Sequence, residues 1–392
     1  MTHSAVEAPR LLKLAPVAVA FVLMVGCADS TESTDAPPQA GAGVATHEVV
    51  DPGDAGAVAT PGGEGEPVRV VPEAFLTAMT PEDNIDSVAS WRNADGDTWV
   101  FATAKSTHRL VVYDGDTGAT LRTLGSEGSG DGEFLRPNGV FVIDDLLVVV
   151  ERDNRRVQAF DLPTLSPLGS FGDAELIKPY GLWVHRGDGD YVVYVTDDYP
   201  AGEGEAIDLA ALGERVKRFG MKRGDGGVQG AFIDAFGDTS PEGALRVVES
   251  LWGDPTHQRL LIAEEDETYA NEFKIYDLDG HFSGATFGGE LFQAQAEGIA
   301  LFECADGSGY WITTEQDKGR STFHLFDRRS LGLAGSFQGE AVANTDGIWL
   351  NQAGTRAFPQ GVLYAVHDDQ GMVAFDWRAI AETVGVRARC DE

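Results

Sequence analysis

The sequence has few cysteines, few histidines and few basic residues. It contains 3 Cys and 8 His, and 29 Lys and Arg stand against 63 Asp and Glu, which gives a formal net charge of −34. No CxxC motif or Cys/His spacing indicates a zinc site. A nucleic-acid partner is not expected, because binding to a phosphate backbone needs a basic surface. Acidity of this degree is also typical of saline habitats or of a demand for solubility.

The chain also lacks an apolar run that would span a bilayer comfortably. Residues 14–25 form a short one, with Arg10 and Lys13 before it and Cys27 directly after the letters LMVG. This order predicts an export signal over residues 1–26, and its end resembles a bacterial lipobox. The resemblance implies acylation of Cys27 and anchoring to the bacterial cell envelope, on the periplasmic side or at the cell surface. An ordinary signal peptide is the alternative.

Residues 27–66 contain no Lys or Arg and consist mainly of small residues, Pro and acids. Such a composition cannot bury a core and predicts a disordered acidic tether. The remaining segment, 67–392, is expected to form one domain. Export permits a disulfide between the other two cysteines, Cys304 and Cys390.

Apolar strand sequences recur every ~50 residues in this domain. They read WVFATA at 99–104, LLVVVE at 146–151, YVVYVT at 191–196, RLLIAE at 259–264, YWITTE at 310–315 and VLYAVH at 362–367. One interval is longer, which predicts inserted loops at 199–214 and 221–230, and a helical pattern occurs only at 378–384. Six units of four strands predict an all-β, six-bladed β-propeller. Residues 68–79 are expected to pair with the last blade and close the ring.

Two series of polar residues occupy fixed places in these units. One series ends the apolar strands, and the other opens the strand before each of them. The members are Glu151, Asp197, Glu264, Glu265, Asp266, Glu315, Gln316, Asp368 and Asp369 at the ends, and Asn138, Tyr180, Glu249, Glu297 and Asp346 at the starts. In a propeller both places lie on one face, so the carboxylates predict a hard, oxygen-rich cation site that suits Ca²⁺. The alternative is that each acid caps a turn.

Basic residues near this face are fewer. They are Lys105, Arg152, Arg155, Lys318 and Arg320. Arg binds phosphate in a bidentate manner and Lys acts as a point charge, although pairing with the abundant surface acids is the alternative. No GxSxG, HExxH or P-loop pattern is present.

The sequence resembles the β-propeller phytases, a calcium-dependent family that cleaves phytate. The resemblance runs over most of residues 80–384. It is carried by DSVASW at 86–91, KPYGL at 178–182, IAEEDE at 262–267, AEGI with GYWITTEQ at 296–316, and NTDGI with FPQGVLYAVHD at 344–368.

The resemblance implies hydrolysis of a phosphorylated small molecule, bound as its calcium complex, by metal-activated water. It implies calcium ligands, catalytic residues and substrate-binding residues, in a protein expected to be a monomer. The implied ligands are Asp86, Tyr180, Glu249, Glu264, Glu265, Glu297 and Asp346. The implied catalytic residues are Lys105, Arg152, Glu249 and Asp346, and the implied substrate-binding residues are Lys105, Arg152, Tyr180 and Gln316.

The sequence departs from the family pattern in several places. Ser87 and Asn138 stand where the family has Asp, and Asp198 stands where it has a phosphate-binding Lys. Residues 128–161 resemble an NHL-type repeat, which is found in propellers that often serve as binding scaffolds. A non-catalytic lipoprotein that binds a partner is therefore the main alternative function, and a calcium-dependent lactonase-type hydrolase is a third.

Overall fold

The computed structural model describes residues 68–187, 190–202 and 207–391. The predicted signal peptide, Cys27 and the tether at 27–66 lie outside the described residues. Within the described ranges, no helix is both long enough and apolar enough to cross a membrane.

Almost all of the regular structure is β-strand. Two short strands, β1 (Arg69–Val70) and β2 (Phe75–Leu76), precede the blades. Blade one contains β3 (Ile85–Arg92), β4 (Thr98–Ala104), β5 (Arg109–Asp114) and β6 (Thr120–Leu124). Blade two contains β7 (Pro137–Ile143), β8 (Leu146–Glu151), β9 (Arg156–Asp161) and β10 (Pro167–Phe171). Blade three contains β11 (Pro179–Arg186), β12 (Tyr191–Asp197), β13 (Val216–Gly224) and β14 (Gly227–Phe236).

The second half of the chain repeats this arrangement. Blade four contains β15 (Leu251–Asp254), β16 (Arg259–Glu264), β17 (Glu272–Tyr276) and β18 (Phe282–Phe287). Blade five contains β19 (Gln295–Glu303), β20 (Gly309–Gln316), β21 (Thr322–Asp327) and β22 (Leu333–Gln338). Blade six contains β23 (Ile348–Asn351), β24 (Val362–His367) and β25 (Gly371–Asp376). The predicted six-bladed, all-β propeller is confirmed.

The segment before blade one closes the ring. Strand β2 is the fourth strand of blade six and pairs antiparallel with β25, with Phe75 opposite Ala374. The expected pairing of residues 68–79 with the last blade is therefore observed. Strand β1 was not expected to act separately, but it pairs in parallel with β22 of blade five.

The prediction of an inserted loop at 221–230 is wrong. These residues form the tip of the β13–β14 hairpin, where Gly224 pairs with Gly227. The intervening turn begins with Asp225–Gly226, a strong hairpin signal that the Gly-rich sequence obscured. In the loop at 199–214, the only regular element described is a 3₁₀ turn at Leu209–Ala211.

The chain ends in one helix and a disulfide. Helix α1 (Trp377–Val384) begins at the cap residue Asp376 and ends at Gly385, whose φ is 87°. Its apolar face joins the core of blades five and six. Cys304 and Cys390 form a disulfide with a Cα–Cα distance of 5.5 Å, which ties the tail after α1 to blade five.

Candidate metal centre

A ring of six side chains surrounds the mouth of the central channel, one from each blade. Each residue lies at the start of its blade's innermost strand, or just before it, and is followed by Gly or Ser. The ring residues are Asp86, Asn138, Tyr180, Glu249, Glu297 and Asp346. The glycines let neighbouring strands approach, since a Cβ on Gly298 would lie 2.5 Å from the Asp346 carbonyl oxygen. The Gly298 amide instead donates to that oxygen at 3.0 Å.

Below the ring the channel becomes apolar and then closes. The next layer consists of six aliphatic side chains: Val88, Val140, Leu182, Leu251, Ile299 and Ile348. Beneath them Phe141, Trp252 and Trp349, from alternate blades, contact one another with ring centroids 5.0–5.5 Å apart. The cavity at the mouth has a volume of about 70 Å³, whereas one water needs roughly 10–15 Å³. An ion with several waters therefore fits above an apolar floor.

Two ring residues, Glu249 and Glu297, lie close to a third carboxylate, Glu265, and we call these three the carboxylate cluster. One oxygen from each lies within 4.8 Å of the others. Glu265 Oε1 accepts a hydrogen bond from the Ser250 amide at 3.0 Å, but its Oε2 is buried and has no partner among the described residues. Calcium binds oxygen at 2.3–2.6 Å, so this spacing suits oxygens on opposite sides of one ion.

Burial and mutual repulsion raise the pKa values of the acids around the mouth. Burial raises the pKa of Glu249 to about 8, with smaller contributions from the charges of Asp86 and Asp198. Burial raises the pKa of Glu265 well above its usual value, and the charge of Glu297 adds to the rise. The pKa values of Glu297 and Asp346 are raised for the same reasons. A cation near these groups would relieve the repulsion.

Lys105 is the buried basic residue of the mouth. Its Nζ donates to Asp86 Oδ1 at 2.6 Å and to the Tyr180 hydroxyl at 3.2 Å, and the residue is 6% exposed. Burial lowers the pKa of Lys105, but the carboxylates of Asp86 and Asp346 more than offset this and hold the pKa above its usual range. Lys105 is therefore charged at neutral pH.

Two other polar side chains complete the mouth. Gln316 donates from Nε2 to Asp346 Oδ1 at 3.0 Å, whereas Asp346 Oδ2 is buried and receives no hydrogen bond from a described donor. The nearby Asp369 carboxylate adds to the rise in the pKa of Asp346. Asn138 is fully buried, and neither of its amide atoms has a described partner. These unpartnered atoms favour a bound ion or water, because an unsatisfied buried polar group costs about 1–3 kcal/mol.

The acids at the ends of β8, β12, β16 and β20, the second strands of blades two to five, have a structural role. Glu151, Asp197, Glu264 and Glu315 each accept hydrogen bonds from backbone amides in the segment that leads into the same blade. Glu264 is 0% exposed; it accepts from Arg246 and Val247 at 3.1 and 3.2 Å. Both of its oxygens are thus engaged with the backbone, and Glu265, not Glu264, joins the cluster.

A basic cavity of about 410 Å³ lies on the same face, lined by Arg152, Asp153, Arg155, Ile177 and Lys178. Arg152 pairs with Asp153 at 2.8 Å, and Lys178 Nζ lies 2.7 Å from Asp198 Oδ2. Asp198 in turn contributes to the electrostatics of the cluster, since its charge acts on Glu249 and Glu265. The cavity is therefore next to the acidic mouth.

The structure brings together most of the sequence-predicted site residues. Those at the mouth are Asp86, Lys105, Tyr180, Glu249, Glu265, Glu297, Gln316 and Asp346. Glu264 faces the backbone, and Arg152 lies in the outer cavity. The sequence did not lead us to predict a functional role for Lys178, although its position two residues before the ring residue Tyr180 was a signal. Arg155 was named among the basic residues near this face but was not assigned a role.

Comparison with known proteins supports the resemblance seen in the motifs. The family model described as Phytase matches residues 221–374, a segment that contains the carboxylate cluster and Asp346. The expected resemblance to phytases is confirmed over these residues. Among solved structures, the crystal structure of the Myceliophteria thermophila Cps50 (Swd1) beta-propeller domain is 11% identical. The alignment covers 79% of this chain and 99% of that chain, with a TM-score of 0.44. No curated protein matches the chain.

Proposed function

We propose that the protein is a calcium-dependent phosphomonoesterase that hydrolyses phytate or a related polyphosphorylated compound. The observation that carries the proposal is the carboxylate cluster, with its buried and unpartnered Glu265 oxygen. The phytase match over residues 221–374 supports the reaction class.

The residues present fit calcium better than a softer metal. Glu249, Glu265 and Glu297 offer only oxygen atoms, and no Cys or His belongs to the described cluster. Bound calcium would lower the pKa of coordinated water and offset charge on the phosphoryl group.

The basic cavity supplies the complementary charge. Arg152 and Arg155 match the geometry of phosphate oxygens. Lys178 adds an ammonium group to this cavity and pairs with Asp198 at 2.7 Å.

Hydrolysis then needs a proton acceptor but no covalent nucleophile. Water supplies the oxygen of the released phosphate, the ester P–O bond breaks, and the alcohol leaves with a proton. We assign the acceptance of the water proton to Asp346, because Gln316 fixes its Oδ1 at 3.0 Å and burial together with the neighbouring charges of Asp86 and Asp369 raises the pKa of its carboxyl group. The apolar floor of the channel excludes bulk water from below.

The proposal includes the cellular setting predicted from the sequence. A lipid anchor at Cys27 would hold a monomeric enzyme at the cell envelope, where phosphorylated small molecules and calcium are its partners. Metabolic labelling with a palmitate analogue tests the anchor: the wild type should be labelled and Cys27→Ser should not. Equal labelling of the two would refute it.

Phosphate release from calcium phytate by the purified full chain tests the activity. We expect release that stops with chelator and falls at least tenfold in Asp346→Asn and Arg155→Ala. Glu382→Gln, on an exposed part of α1, is the matched control and should keep wild-type activity. Absence of release from folded protein at every calcium concentration would favour the binding-scaffold alternative.

A further inference from the structure

Arg215 is a buried arginine that joins blade three to blade four. It lies directly before β13 and is 3% exposed. On the blade-three side, its Nη1 donates to the carbonyl oxygens of Asp197 and Tyr199 at 3.3 and 2.6 Å. On the blade-four side, its Nε and Nη2 donate to the carbonyl oxygens of Leu245 and Arg246 at 3.0 and 2.6 Å. A guanidinium presents five donors in a rigid, planar fork, so this one side chain sets the spacing of two backbone segments.

The blade-four segment leads directly to the carboxylate cluster. Arg215 holds two of its carbonyl groups. Glu264 holds the amides of Arg246 and Val247 at 3.1 and 3.2 Å. The cluster residue Glu249 follows two residues after Val247. A shift of this segment would therefore move the Glu249 carboxylate relative to the rest of the cluster.

The blade-three segment carries Asp198, which borders the basic cavity. The two carbonyl groups that Arg215 holds here belong to the residues on either side of Asp198. Asp198 Oδ1 also lies 3.4 Å from Nη1 of Arg215, while Asp198 Oδ2 lies 2.7 Å from Lys178 Nζ. Arg215 thus contacts both the segment that pairs with Lys178 and the segment that carries Glu249.

We propose that Arg215 is a positioning residue that fixes the carboxylate cluster relative to the basic cavity. The inference rests on the calcium site and the phosphate-binding cavity proposed above. Arg215 does not reach substrate itself, because its guanidinium is buried and its donors face backbone oxygens. It acts through the two segments, and a displacement of about 1 Å within a site can lower a rate by about 100-fold.

Calcium titration of the folded full-length protein, well below its Tm, tests the proposal. Arg215→Lys keeps the charge but loses the fork, so we expect its calcium Kd to rise by roughly tenfold. At saturating calcium its KM for phytate should rise as well, because Lys178 is then displaced from its place beside the cluster.

Arg328→Lys is the matched control. Arg328 is also fully buried, but it binds Asp254 and the Cys304 carbonyl group, and Asp254 ends β15 whereas Glu249 lies just before its start. Arg328→Lys should lower the Tm and leave the calcium Kd unchanged. A wild-type Kd in folded Arg215→Lys overturns the inference but not the calcium site, whereas a wild type that binds no calcium overturns both.

A measurement on the wild type decides the question if Arg215→Lys does not fold. Amide hydrogen exchange reports local opening of the backbone. Calcium should slow exchange in residues 245–250 and, through Arg215, also in residues 197–199, while the hairpin tip at 222–228 exchanges at an unchanged rate. Protection confined to residues 245–250 would show that the two segments are not coupled and would overturn the proposal.

Discussion

At the residue scale, two adjacent glutamates illustrate how strand alternation separates structure from function. Successive side chains of a strand point to opposite faces, so Glu264 turns to the backbone of the entering segment and Glu265 to the ring. The same alternation holds at the end of β20, where Glu315 accepts two backbone amides and Gln316 binds Asp346. Glu151 in blade two and Asp197 in blade three cap the entering backbone in the same way, and the residues that follow them, Arg152 and Asp198, lie at the basic cavity.

Substitutions of Glu264 and Glu265 should have opposite effects on stability without metal and on stabilisation by calcium. Glu265→Gln removes a carboxylate that has no basic partner, so we expect little loss of stability in chelator and a much smaller rise in Tm with calcium. Glu264→Gln places an amide donor against a backbone amide donor, which should lower the free energy of unfolding by about 1–3 kcal/mol while the calcium effect is retained. For comparison, calcium at 100 Kd would stabilise the wild type by about 2.7 kcal/mol.

Thermal unfolding with chelator and with excess calcium measures both effects. Glu382→Gln serves as the exposed control for a lost glutamate charge. A full calcium effect in Glu265→Gln would remove Glu265 from the site, and an unaltered Tm in Glu264→Gln would contradict its capping role.

At the element scale, the short segment before blade one joins the two ends of the ring. Strands β1 and β2 pair with blades five and six, and between them Glu73 accepts amides of Glu340, Ala341 and Val342 at 2.9–3.0 Å. Glu73 thus caps the backbone segment that leads into blade six, as Glu264 caps the segment that leads into blade four. Closure matters because a blade cannot bury both of its faces alone.

Glu73→Ala should therefore destabilise the whole ring, because three backbone amides lose their acceptor. We expect a loss of about 1–3 kcal/mol in the free energy of unfolding, measured by urea denaturation. Glu82→Ala is a suitable control, since Glu82 lies close by in the chain and is exposed. Equal midpoints for the two variants would show that Glu73 does not secure the closure.

At the scale of the whole molecule, the propeller gathers like charges that lie far apart in sequence. Ring residues from position 86 to position 346 face a cavity of about 70 Å³. Folding without a cation thus concentrates negative charge, and a bound ion offsets it.

This concentration predicts a pH dependence in the absence of metal. The pKa of Glu249 rises from 4.5 in the unfolded chain to about 8 in the fold, so between these values the native state binds more protons than the unfolded state. The contribution of Glu249 is fully present below about pH 4.5 and is lost as the pH rises through about 8. In chelator, Glu249→Gln should therefore gain in Tm relative to the wild type between pH 5 and pH 8.

A Tm difference between Glu249→Gln and the wild type that stays constant over this range would refute the shift. In the wild type, calcium affinity should rise over the same pH range, because a carboxylate must lose its proton before it binds a metal.

Much of the fold could be predicted because its signals are local and repeated. Apolar strands recurring every ~50 residues specify a blade, and the period-2 pattern of each strand specifies its faces. The β13–β14 hairpin was mistaken for a loop because Gly and Lys interrupt its apolar alternation. The separate pairing of β1 with blade five had no local signal, since two residues carry no pattern.

The sequence by itself determined the propeller, the acidic face and the identity of the ring residues, since repetition assigns equivalent positions in every blade. Only the tertiary structure decided which acids have their oxygens occupied by backbone amides and which have an oxygen available to a cation. Glu264 and Glu265 have the same chemistry in the sequence, and the backbone amides around each oxygen separate them. The ion pair of Lys105 with Asp86 and the support of Lys178 by Asp198 likewise depend on distances between side chains. Such contacts arise only when the first two strands of a blade pair, because each joins the segment that enters a blade to the end of that blade's second strand.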